Sequence, residues 1–75
     1  MLAAQRAILR GFVTGRTDGR SVVNFADELA AARKAMPNFA FNGMDLSKAL
    51  RSAGFNRLYE VNGRKPKGII YGRSE

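Results

Sequence analysis

Cysteine, histidine and tryptophan are all missing from these 75 residues. Without Cys and His there are no disulfide staples, no thiolate chemistry and almost no common zinc site, so apolar packing must hold the fold. Acid is scarce too: six Asp and Glu face thirteen Lys and Arg, a formal charge of +7. That imbalance points toward polyanions. Residues 1–42 hold six bases and three acids, and residues 43–75 hold seven and three, so the excess is no basic tail. No apolar run approaches the roughly 20 residues of a membrane span. "MLAAQRAILR" lacks the uninterrupted apolar centre of a signal peptide. The expectation is one small intracellular domain with no membrane contact.

Leu2, Leu9 and Val13 share a helical stripe, with Ile8 and Phe12 beside it and Arg6 and Arg10 toward the flank, which predicts a first helix over about 2–13. "TGRTDGRS" then reads as a break, with Arg16 and Arg20 either extending a basic surface or keeping the loop wet, and "SVVNF" as a short strand. Asn24 caps a second helix over about 25–36, where Phe25, Leu29, Ala32 and Met36 share a face and Pro37 forbids continuation. A third helix, about 45–53, is capped by Asn42 or Asp45 and stopped by Gly54. It turns Leu46, Ala49, Leu50 and Ala53 inward and Ser47, Lys48, Arg51 and Ser52 outward. "LYEV" and "GIIYG" predict a hairpin within about 57–72. Pro66 lengthens its loop beyond a two-residue Asn-Gly turn, and Arg64, Lys65 and Lys67 crowd the tip.

Three cations at a loop tip repel one another and contribute nothing to folding. Helix, short strand, helix, helix, hairpin is the order of an α+β winged helix, in which the third helix enters a groove and the hairpin touches the neighbouring backbone. Ser47, Lys48, Arg51 and Ser52 then face base edges and phosphates, with Arg51 suited to a bidentate guanine contact. Arg57, Arg64, Lys65 and Lys67 face the phosphate backbone. The plain alternative makes each of these a solvated surface charge. Phe39 and Phe41 are expected as core plugs rather than stacking platforms, and Tyr59 and Tyr71 as rings packed across the hairpin.

"GRTDGRS" fails as a phosphate-binding loop, being one residue short with Arg20 in place of lysine. Asp18, Asp27, Glu28, Asp45, Glu60 and Glu75 are scattered, and Asp27 and Glu28 have a helix-capping explanation. No enzyme, cofactor or metal is expected.

"LSKALRSAGFNRLYEVNGRKPKGIIYGR", preceded by "DGRSVVNFADELAAARKAM", resembles the C-terminal winged-helix domain of phage and plasmid primase-helicase replication proteins. In that family a helix ending in Leu-x-x-x-Gly-Phe leads into a basic Asn-Gly-(Lys or Arg) hairpin closing on Gly-Ile. Leu50, Gly54, Phe55, Asn62, Gly63, Arg64, Gly68 and Ile69 stand at those positions. The likeness covers residues 18–73 loosely and 46–72 closely, and lacks the tryptophan common in the family's second helix. It implies origin or single-strand DNA binding within a replication protein, in the cytoplasm of a bacterium or phage-infected host. Duplex DNA is the favoured partner, with the rest of a replication protein or a second protomer beside it. The other readings are a small phage protein-protein interaction module or inhibitor using the basic face, and an RNA-binding module.

Overall fold

The computed structural model describes residues 2–73; Glu75, one of the scattered acids, lies outside that span. The elements are α1 (Ala3–Thr17), β1 (Val22–Asn24), α2 (Phe25–Ala35), α3 (Gly43–Ser52), β2 (Phe55–Leu58) and β3 (Ile70–Arg73). Three helices pack with a three-stranded antiparallel sheet of order β1-β3-β2. Among the described residues no helix is long and apolar enough to cross a membrane.

Helix α1 does not stop near residue 13 as expected. It continues through Gly15 to Thr17, although a glycine in a helix interior costs about 1 kcal/mol relative to alanine. Tertiary burial outweighs that cost. Thr17 is buried, extending the stripe of Leu9 and Val13 by one turn, and its Oγ1 donates to the Val13 carbonyl at 2.7 Å. The helix ends where Gly19 adopts φ +76° and the Arg20 N–H reaches back to the Thr17 carbonyl. Leu2 and Ile8 stand apart from the expected core stripe, 71% and 53% exposed.

The other two helices begin where their caps indicate. Asn24 accepts from the Asp27 N–H at 3.2 Å. Asn42 and Asp45 both cap α3: each side chain accepts the other's backbone N–H at 3.0 Å. This reciprocal box starts α3 at Gly43, two residues earlier than expected. Gly54, at φ +94°, turns the chain from α3 into β2.

The hairpin strands are shifted outward from the expected runs. Phe55 is fully buried, so β2 starts there and pairs Phe55 with Arg73 through Leu58 with Ile70. Residues 59–61 leave the ladder. Pro66 does not abolish the two-residue turn either. Asn62 (φ 55°) and Gly63 (φ 78°) form it at the tip, closed by hydrogen bonds in both directions between Val61 and Arg64. Pro66 sits in the returning arm.

Leu9, Val13, Val23, Ala32, Leu46, Ala49, Leu50, Phe55 and Tyr71 form the core, so every element contributes to it. Phe25 stacks on Tyr71 with ring centroids 5.6 Å apart. Phe41 packs against this core as expected, whereas Phe39 is half-buried outside it.

Candidate nucleic-acid interface

Three of the cations serve the fold. Glu28, only 2% exposed, is held by ion pairs from Arg16 and, at 3.3 Å, Arg20. Glu28 stands in the first turn of α2 as its capping explanation expects, and the ion pairs give the two arginines, still partly exposed, a further role in the fold. Arg73 donates to the carbonyls of Thr17 (3.0 Å), Arg20 (3.0 Å) and Ala53 (3.2 Å). Its guanidinium thus satisfies carbonyls at the C-terminal ends of α1 and α3, where positive charge complements the helix dipole. It also lies 4.6 Å from the Phe55 ring centroid.

Arg33 and Lys34 occupy the last turn of α2, and the other cations divide among α1, α3 and the hairpin. In α3, Leu46, Ala49 and Leu50 are buried, fixing the helical phase and leaving Met44, Lys48 and Arg51 as the outermost row. Residues on a helix advance about 100° each, so Ser47 and Arg51 form the flank facing the sheet and Lys48 and Ser52 the flank facing α1. The side-chain partners agree. Ser47 is half-buried and shares a 2.5 Å hydrogen bond with the Tyr71 hydroxyl of β3, so it departs from the expected set of free donors. Lys48 and Ser52 line an open groove of ≈ 290 Å³ with Arg6 and Arg10 of α1. Leu9, Ala3 and Ala49 complete its walls together with Asp45, whose carboxylate serves the α3 cap.

On the hairpin, Arg57 pairs across the ladder with Tyr71, and paired residues point to one sheet face. Because the Tyr71 hydroxyl meets Ser47, that face is the one carrying α3. Arg64, Lys65 and Lys67 are exposed around the Asn62-Gly63 turn and its return. Arg57, Leu58, Tyr59, Lys65, Pro66 and Gly68 line a second groove of ≈ 260 Å³ at the hairpin base. Among the described residues both ion pairs belong to Glu28, so Lys48, Arg51, Arg57, Arg64, Lys65 and Lys67 have no carboxylate partner.

Several exposed or groove-lining residues escape the sequence reading. Arg6 and Arg10 carry the i, i+4 spacing of a helical pair, but only the α1-α3 packing shows that they face Lys48. Met44 stands 68% exposed in the outer row of α3. Tyr59 does not pack across the hairpin. It is 70% exposed, with the Arg57 guanidinium 4.9 Å from its ring centroid. Among the described residues no cluster of His, Cys, Asp or Glu could hold a metal ion. The arrangement offers hydrogen-bond donors and fixed positive charge from three elements.

Comparison with family models, curated proteins and solved structures finds no match to this chain.

Proposed function

We propose that this chain is a winged-helix DNA-binding domain without enzymatic activity, with α3 in the major groove and the β2-β3 hairpin as a wing on the phosphate backbone. The observation that carries the proposal is the run of unpaired cations from Lys48 and Arg51 on α3, through Arg57 on β2, to Arg64, Lys65 and Lys67 on the hairpin. The Ser47-Tyr71 bond ties the two parts together.

The dimensions suit a groove. Met44 to Arg51 spans about 10 Å of helix axis, or three base-pair steps of B-DNA. Lys48 and Arg51 approach base edges and phosphates, and the wing neutralises backbone charge. A-form RNA has a major groove too narrow for a helix, so the exposed row on α3 favours DNA. The reading as a module that binds a partner protein through Phe39, Phe41 or Tyr59 loses Phe41, which packs on the core, and rests on Tyr59, which is exposed. Placement in a phage or plasmid replication protein rests on the resemblance of residues 46–72 alone.

Fluorescence anisotropy with duplex DNA at several salt concentrations tests the proposal. Binding should weaken with a slope of about −0.9 per neutralised phosphate, and replacing Arg64, Lys65 and Lys67 together by alanine should remove most of it. No binding at low salt would refute a DNA-binding role.

A further inference from the structure

We infer that the base of the wing holds one unpaired nucleotide, so that the preferred ligand is duplex DNA with a single-stranded tail rather than a blunt duplex. The inference rests on the DNA-binding proposal and deepens it.

Tyr59 carries the argument. Among the seven aromatic side chains, Phe12, Phe25, Phe39 and Phe41 are half-buried and Phe55 and Tyr71 are buried. Only Tyr59 is exposed, at 70%. Placing a large ring in water forgoes the free energy that burying it would contribute. The ring is nevertheless positioned: it follows the last paired residue of β2, and the Arg57 guanidinium lies 4.9 Å from its centroid. With the cation against one face, the exposure leaves the other face to solvent.

The surroundings have the chemistry of a nucleotide site. Tyr59 and Arg57 line the ≈ 260 Å³ groove with Lys65, Pro66 and Gly68. A base stacked on the free face of Tyr59 would have the ring between it and Arg57, whose guanidinium holds the ring from behind by its cation-π contact. Lys65, in the same groove, is placed for the phosphate at which the tail leaves the duplex. A base paired within a duplex keeps its faces stacked on its neighbours and cannot use the ring. An unpaired base can. Arg57, opposite Tyr71, points to the sheet face that carries α3, so one DNA molecule lying on α3 can extend its unpaired end toward Arg57 and Tyr59.

The test compares a blunt duplex with the same duplex carrying a short single-stranded tail, with 2-aminopurine at the first unpaired position. The proteins are wild type, Tyr59→Ala and Tyr59→Phe. Wild type should bind the tailed duplex about 5- to 100-fold more tightly than the blunt one and quench the probe, as base-aromatic stacking energies predict. Tyr59→Ala should keep blunt-duplex affinity and lose both the preference and the quenching, while Tyr59→Phe retains them. Circular dichroism and thermal melting check that each variant folds, which the exposure of residue 59 favours. Equal affinity of wild type for both ligands, or a preference that survives Tyr59→Ala, would overturn the inference and leave the DNA-binding proposal standing. Failure of wild type to bind either duplex would overturn both.

Discussion

The hydroxyls of Ser47 and Tyr71 lie 2.5 Å apart and join the exposed helix α3 to the central strand β3. Tyr71 is buried and its ring stacks on Phe25 at the start of α2, so one side chain links α2, α3 and the sheet. Rotation of α3 about its axis would break that bond and carry Lys48 and Arg51 out of line with the hairpin.

Tyr71→Phe removes the hydroxyl and keeps the stack. The Ser47 hydroxyl, half-buried, can turn to water, so the expected loss is about 0.5–1.5 kcal/mol. Urea unfolding measures it. A loss above about 3 kcal/mol would mean that the ring itself had moved.

The Glu28 cluster predicts an asymmetry. Its carboxylate is almost fully buried, whereas Arg16 and Arg20 retain 37% and 53% side-chain exposure. Arg16→Ala with Arg20→Ala strands a negative charge and should cost about 3 kcal/mol. Glu28→Gln leaves two cations that can swing to solvent and should cost about 1 kcal/mol. A small domain has only about 4–11 kcal/mol in hand, so melting temperatures should separate the two variants clearly. Equal losses would show that Glu28 is hydrated.

The same cluster marks a limit of reading locally. Caps at Asn24 and Asn42 and the inward stripe Leu46, Ala49 and Leu50 are legible because each is a short-range pattern of donors or apolar spacing. The end of α1 is not, because Gly15 argues for a break and only the burial of Thr17 and the Arg16-Glu28 pair overrules it. Arg73 and Tyr59 carry no local signal at all. One is fixed by carbonyls brought from Thr17 and Ala53, and the other is exposed because the ladder ends at Leu58. Of the candidate site, Lys48, Arg51, Ser52 and the hairpin cations are exposed. Ser47 departs because its partner lies in another element.

Leu50 tests the helical phase. It is fully buried between α3's neighbours, so Leu50→Ala should cost about 2–5 kcal/mol, read by thermal or urea unfolding. At about 4–8 °C per kcal/mol for a domain of this size, the melting point should fall by at least 8 °C. A neutral result would contradict the burial that sets Lys48 and Arg51 outward.

The sharpest prediction divides labour between α3 and the wing. Lys65 and Lys67 stand on a loop with no carboxylate partner, where a cation meets phosphate without regard to sequence. Replacing either by alanine should weaken binding to all duplexes about equally and lower the salt slope by about one unit. Arg51 sits in the outer row of α3 with Met44 and Lys48, where its planar fork can take two acceptors on a guanine edge. Arg51→Ala should cost about 1–3 kcal/mol on the preferred sequence and little on others, flattening discrimination. Competition of a specific duplex against random duplex, run for each variant at two salt concentrations, separates the two effects. If Arg51→Ala and Lys65→Ala weaken every duplex alike and change the salt slope alike, α3 binds backbone only. Sequence discrimination would then have to come from DNA shape or from another part of the assembly.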